Sequence, residues 1–100
     1  MTLQNLAQTI LARKDADPDT SWTAKLLSNP DKAAEKFGEE AVEAIIEATK
    51  GDAARLTTEA ADVIYHLLVM CAAHGVTLGD IEGELAKRTA QSGIAEKASR

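Results

Sequence analysis

The sequence predicts an all-α protein, and three observations indicate this fold class. Hydrophobic residues make up 45% of the chain but aromatic residues only 3%, and the apolar residues are mainly Ala, Leu, Ile and Val. Apolar residues recur at the spacing of one helix face. Residues typical of helix ends, such as Asn29-Pro30 and Lys50-Gly51, bound the longer segments. A length of 100 residues indicates one domain, residues 1–100, with one modest core.

Two helices are expected in the first half of the chain. The first runs from about residue 2 to 14, where Leu and Ile residues follow helical spacing. Residues 21–27 could add one or two helical turns. The second helix, about residues 30–49, begins at Asn29 and Pro30 and ends at Gly51, a typical glycine cap. Its apolar residues share one face: Ala34, Phe37, Ala41, Val42, Ile45 and Ala48.

The third helix is apolar around most of its surface. It is expected to start at Asp52, which caps it, and to end near His74, before Gly75. Such a helix must be covered on most sides, and the short neighbours in this chain leave it incompletely covered, so a partner subunit is expected. Thr77 and Asp80 form a capping pair for a fourth helix, and residues 90–100 form a polar, basic tail.

Composition excludes several classes of function. The net charge of -5 and the pI near 4.9 argue against a surface for nucleic acid or anionic membranes. A single cysteine, Cys71, permits neither an intrachain disulfide nor a cysteine-based zinc site within one chain. The N-terminal residues do not resemble a signal peptide, and the mostly apolar residues 63–76 are too few to span a bilayer. We expect a soluble, cytoplasmic protein.

Two pairs of acids are the main candidates for chemistry. Glu40 and Glu43 lie one turn apart on the second helix, and Glu59 and Asp62 lie one turn apart on the third. Two antiparallel helices would bring these carboxylates face to face, where they repel one another unless a cation binds. Glu59 and Asp62 also interrupt an apolar segment, where charge is costly unless paired or metal-bound. Oxygen ligands favour Mg²⁺, or Mn²⁺ in its place, over zinc or copper.

Other interpretations of these residues remain open. The acids of the second helix, with Glu39 and Glu47, could be an ordinary solvated face. A di-iron carboxylate centre would use Glu-x-x-His pairs, but His66 follows Asp62 by four residues. His66 is either a hydrogen-bonded interior histidine or a group at the site. Phosphate binding requires cations, for which the candidates are Lys32, Lys36, Lys87, Arg88, Lys97 and Arg100.

The acid motif resembles that of a known superfamily. Glu39-Glu40-x-x-Glu43 followed by Glu59-x-x-Asp62 is similar to the signature of the MazG-like all-α nucleoside triphosphate pyrophosphohydrolases. The surrounding residues resemble, within it, the phosphoribosyl-ATP pyrophosphohydrolase family of histidine biosynthesis. These residues are Lys36-Phe37-Gly38, the run Tyr65-His66-Leu67-Leu68, and Arg88, Ser92-Gly93 and Lys97 towards the C-terminus. Trp22 departs from the family pattern, in which a tyrosine is usual.

The resemblance implies a function and an assembly. It implies a four-helix MazG-like bundle completed by homodimerisation, which hydrolyses phosphoribosyl-ATP to phosphoribosyl-AMP and pyrophosphate with Mg²⁺. A noncanonical nucleoside triphosphate as substrate, or a non-catalytic helical interaction module, are the alternatives. By analogy, four acids would bind metal, Glu39 and Glu40 would serve catalysis, and the remaining residues would contact substrate. The metal set is Glu40, Glu43, Glu59 and Asp62; the substrate set is Lys36, His66, Arg88, Lys97 and Arg100.

Overall fold

The computed structural model describes residues 1–89, which form five α-helices and contain no β-strand. The tail at 90–100, with Lys97 and Arg100, lies outside the described residues. The all-α prediction is confirmed, and the apolar piece at 21–27 is a short helix between the first two expected ones. The helices are α1 (Leu3–Ala12), α2 (Trp22–Leu27), α3 (Pro30–Lys50), α4 (Ala53–Ala72) and α5 (Leu78–Thr89). None of them is long and apolar enough to cross a membrane.

The two longest helices, α3 and α4, are joined by a turn of two residues. Gly51 caps α3 in the left-handed conformation, with φ of 75°. The side chain of Asp52 then caps α4 by accepting a hydrogen bond of 3.0 Å from the backbone N–H of Arg55. At the other end of α3, the side chain of Asn29 accepts from the N–H of Lys32. Because the connection is this short, α3 and α4 form an antiparallel hairpin.

Gly51 offers a test of how far this turn supports the fold. Gly51→Ala is expected to lower the free energy of unfolding by about 1 kcal/mol, because a side chain disfavours the left-handed conformation. Gly83→Ala is the matched control: an added Cβ there meets no atom within 4 Å and the residue is helical, so stability should rise by about 0.5 to 1 kcal/mol. Urea unfolding followed by circular dichroism measures both changes. Equal effects of the two substitutions would contradict the role of the turn.

Helix α4 lies at the centre of the fold, in contact with α1, α2 and α3. The buried core joins these elements and consists of Ile10, Leu26, Ala33, Leu68 and Val69. A hydrogen bond between the hydroxyls of Thr23 and Tyr65 also joins α2 to α4. Helix α5 is less well packed, since none of its residues is buried. Thr77 and Asp80 begin it with the predicted reciprocal cap, through hydrogen bonds of 2.9 and 3.0 Å.

The apolar face of α3 lies largely outside this core. Val42, Ile45 and Ile46 are 55%, 61% and 44% exposed. The residues of α3 that are buried are instead Ala33 and Glu47. Helix α3 therefore directs its acid-bearing face towards α4 and leaves an apolar stripe, defined as Val42, Ile45 and Ile46, on the surface of the single chain.

Candidate metal centre

Three glutamates converge between α3 and α4. One carboxylate oxygen from each of Glu40, Glu43 and Glu59 lies within 4.8 Å of the other two. Helical spacing places Glu40 and Glu43 one turn apart, and the short turn after α3 brings Glu59 opposite them. Oxygens that share one ion at about 2.0 to 2.6 Å are separated by up to about 5 Å, so these three can bind a common divalent cation.

The pKa values of two of these acids are raised above their ordinary range. For Glu40 the main cause is burial, followed by the charge of Glu43 and a hydrogen bond with it. For Glu59 the main cause is again burial, followed by a hydrogen bond with Glu43 and the charge of that residue. The Oε2 atom of Glu59 is buried and has no hydrogen-bond partner. A bound cation would supply the missing partner and offset the repulsion.

Asp62 and His66 lie beside this group of three. The charge of Asp62 contributes to the raised pKa of both Glu40 and Glu59, although its carboxylate is not one of the three that meet within 4.8 Å. His66 is buried, and its Nδ1 lies 2.8 Å from the backbone oxygen of Asp62. The predicted metal and substrate residues of α4 therefore share one side of the helix.

Glu39 and Lys36 form an ion pair at the edge of the site. The Nζ of Lys36 lies 2.9 Å from Oε2 of Glu39, whose side chain is half exposed. This contact lowers the pKa of Glu39 and raises that of Lys36, and the charges of Glu40 and Glu43 raise the Lys36 value further. Glu39 is not one of the three acids that converge, and Lys36 is a cation within their electrostatic reach.

Arg88 is placed on α5, away from the hairpin in sequence. Its Nε lies 3.1 Å from Oε1 of Glu84, one turn earlier on the same helix. Lys97 and Arg100 cannot be compared with the site because they lie beyond residue 89. Among the predicted phosphate-binding cations, Lys36 lies within electrostatic reach of Glu40 and Glu43.

Glu47 has a different environment from the one its sequence pattern suggests. It is only 8% exposed, its Oε2 has no hydrogen-bond partner, and its Oε1 lies 3.6 Å from Nζ of Lys50. The sequence feature that could have indicated this burial is the position of Glu47 four residues after Glu43, because that spacing places both side chains on the face turned towards α4. Glu47 extends the acidic side of the hairpin towards the turn at Gly51.

The fold and the site define a class of protein, the all-α proteins in which a helical hairpin holds a group of carboxylates that can share a cation. Comparisons with known proteins identify the family within this class. The sequence matches the family Phosphoribosyl-ATP pyrophosphohydrolase over residues 3–89. The chain therefore belongs to the phosphoribosyl-ATP pyrophosphohydrolase family, in agreement with the resemblance of its motifs.

Individual relatives support the same family. A phosphoribosyl-ATP pyrophosphatase of Paracoccus denitrificans is 70% identical over 99 residues, which cover 98% of this chain and 92% of the relative. Proteins with the same description from Jannaschia sp. and Ruegeria pomeroyi are 70% and 68% identical, and the matches cover 97% and 94% of their lengths. The similarity thus extends over nearly all of both chains.

Proposed function

We propose that this chain hydrolyses phosphoribosyl-ATP to phosphoribosyl-AMP and pyrophosphate, a step of histidine biosynthesis. Family membership makes the chain a hydrolase, and the relatives that match it are described as phosphoribosyl-ATP pyrophosphatases. The observation that carries the proposal is the convergence of Glu40, Glu43 and Glu59 within 4.8 Å. Hydrolysis of a phosphate anhydride depends mainly on positioning and charge neutralisation, which such a centre can provide.

The proposed cofactor is Mg²⁺, with Mn²⁺ as a possible substitute. Glu40, Glu43, Glu59 and Asp62 would hold it, and the unpartnered Oε2 of Glu59 fits that role. When bound, the cation would neutralise charge on the phosphate oxygens and on the departing pyrophosphate. An all-oxygen site of carboxylates suits such a hard cation.

The other residues of the site have roles in orienting substrate and water. A water molecule forms a bond to the α-phosphorus while the bond from that atom to the leaving pyrophosphate breaks. Glu39, next to Glu40 in the sequence and paired with Lys36, would orient this water, accept its proton or hold a second ion. Lys36 would contact a phosphate of the substrate, and His66, Arg88, Lys97 and Arg100 are further proposed contacts.

An assay of substrate choice tests the proposed reaction. Purified protein is incubated with Mg²⁺ and phosphoribosyl-ATP, dUTP, dCTP or ITP, and pyrophosphate release is measured. Phosphoribosyl-ATP should be turned over far faster than the plain nucleotides, and Glu40→Gln should abolish most of this activity. Turnover of a plain nucleotide with none of phosphoribosyl-ATP would overturn the proposed substrate. Absence of any turnover, together with a melting temperature that Mg²⁺ does not change, would support a helical interaction module instead.

A homodimer in the cytoplasm belongs to the same proposal. A second copy of the chain would cover the apolar stripe of α3, because exposure of three neighbouring apolar side chains to water is unfavourable. Family resemblance also implies a homodimer. The single cysteine, Cys71, is a free thiol, which is compatible with the reducing environment of the cytoplasm.

Disruption of the apolar stripe should produce a monomer. Ile45→Glu places a charge at the most exposed of its three residues, where a partner's apolar surface could not accommodate it without a large desolvation cost. Size-exclusion chromatography with light scattering should then give the mass of a single chain instead of the mass of two chains. Leu3→Glu, at a residue that is 50% exposed near the start of α1, is the control and should leave the mass unchanged. A wild-type monomer at micromolar concentration would contradict the proposed dimer.

A further inference from the structure

Helix α5 carries an apolar groove that lies open in the described part of the chain. The groove has a volume of about 380 Å³ and extends from just before α5 to the last turn of that helix. Leu85 is 56% exposed and Val76 is 40% exposed, and no residue of α5 is buried. The groove is lined by Val76, Asp80, Ile81, Glu84, Leu85 and Arg88.

The two ends of this groove differ in their packing. Ile81 packs against the buried core, whereas Leu85, one turn later, is left mostly in water. Beside Leu85, the groove is bordered by an ion pair in which Nε of Arg88 lies 3.1 Å from Oε1 of Glu84. Exposure of an apolar groove with a polar border is unfavourable and indicates a surface that another segment covers.

The tail at 90–100 begins beside this groove. Helix α5 ends at Thr89, one residue after Arg88, which lines the groove. The tail lies outside the described residues, but its sequence contains one large apolar residue, Ile94. The dipeptide Ser92-Gly93 precedes it and is typical of a turn.

The length of chain before Ile94 allows this residue to reach the groove. Five residues separate Ile94 from Thr89 and span up to about 17 Å when extended. Along the axis of α5, Leu85 lies about 6 Å before Thr89, and Ile81 lies about 12 Å before it. Because the tail is tethered at the end of the groove, its effective concentration there is higher than that of a separate partner.

We propose that the tail turns back at Ser92-Gly93 and that Ile94 packs into the α5 groove of the same chain, against Ile81 and Leu85. The exposed end of α5 is thereby covered by the segment that follows it. The inference does not depend on the proposed reaction or on the proposed substrate contacts of the tail.

Disulfide trapping tests this contact. In a Cys71→Ser background, Leu85→Cys is combined with Ile94→Cys and the protein is mildly oxidised. Trypsin cleaves after Lys87, so the two cysteines lie on different peptides, and mass spectrometry detects their linkage. A non-reducing gel separates a link within one chain from a link between chains.

Gly83→Cys combined with Ile94→Cys is the matched control. Position 83 is about as close to the tail in sequence, but it lies about 200° around the helix from position 85. An added Cβ at Gly83 meets no atom within 4 Å. The Leu85→Cys pair should form a link within one chain at least about tenfold faster than the control pair. Equal rates, no link, or a link only between chains would overturn the proposal.

Thermal melting provides a second measurement that needs no cysteine. Ile94→Asp and Leu85→Asp should each lower Tm by about 4 °C or more, and the double variant should lose little beyond either single one. Ser99→Asp adds the same charge to the tail after Ile94 and should leave Tm nearly unchanged. A wild-type Tm in Ile94→Asp, or fully additive losses in the double variant, would show that Ile94 does not pack against Leu85.

Discussion

Glu59→Gln is expected to lower the rate of phosphoribosyl-ATP hydrolysis by about a hundredfold or more while leaving the fold intact. Loss of a group that merely supports a metal ligand typically costs about tenfold to a hundredfold in affinity or activity, and Glu59 is proposed as a ligand itself. Because its Oε2 is buried and unpartnered and it lies opposite Glu43, substitution of Glu59 is the most direct test of the metal centre. Steady-state kinetics at saturating Mg²⁺ measures the effect.

A matched variant separates this effect from a general change in charge. Glu35→Gln removes one acid from the exposed side of α3, where Glu35 contacts Lys32 at 3.7 Å. It should keep nearly full activity. Circular dichroism should show the same helix content for both variants. Wild-type kinetics in Glu59→Gln, or an equal loss in Glu35→Gln, would contradict a specific role for the carboxylates between α3 and α4.

The free energy of unfolding should depend on pH and on Mg²⁺, because Glu40 and Glu59 of the same centre have raised pKa values. The pKa of Glu59 is raised in the folded protein, so between its ordinary value of 4.5 and the raised value the folded state binds more protons than the unfolded state. The stabilising contribution of the protonated carboxyl is therefore present at acidic pH and is lost as pH rises through the raised pKa. Glu40 contributes in the same direction.

Melting curves of the wild type and Glu59→Gln from pH 4 to 7 without divalent cations test this expectation. The variant should become increasingly more stable than the wild type as pH rises, because glutamine carries no charge to repel Glu43. At neutral pH, Mg²⁺ at about a hundred times its Kd should stabilise the wild type by about 2.7 kcal/mol and raise its Tm by about 10 °C or more. Glu59→Gln should gain much less. A difference between the two proteins that is constant with pH, or an equal gain from Mg²⁺, would contradict the prediction.

Local sequence signals were sufficient to predict the helices. Asn29, Gly51 and Asp52 act through side chains or conformations that depend on a few neighbouring residues, and each lies in the structure where the sequence predicts it. The ends of α1 and α4 were predicted less well, and both helices are shorter than expected, at Leu3–Ala12 and Ala53–Ala72. Helix ends depend on weak final turns, which the periodicity of apolar residues does not determine.

The faces that pack against each other were harder to predict than the helices. The apolar residues of α3 suggest a core-facing side, yet Val42 and Ile45 are exposed and Glu47 is buried. An amphipathic pattern shows that a face must be covered but not whether the same chain or another covers it. Spacing predicted that four acids come together; Glu40, Glu43 and Glu59 do meet within 4.8 Å, whereas Asp62 lies beside this group and not within it. The ion pair between Lys36 and Glu39 depends on rotamers and could not be predicted.

The short turn between α3 and α4 also affects how these two helices pair during folding to form the candidate metal centre. Only Gly51 and Asp52 separate the two helices, so closing the loop costs little chain entropy, and contacts between sequence neighbours form rapidly. The acids on the facing sides nevertheless repel each other as the helices approach. For this hairpin the obstacle to assembly is therefore electrostatic and not topological, so the ionic composition of the solution, more than chain length, should set how readily the two helices first pair.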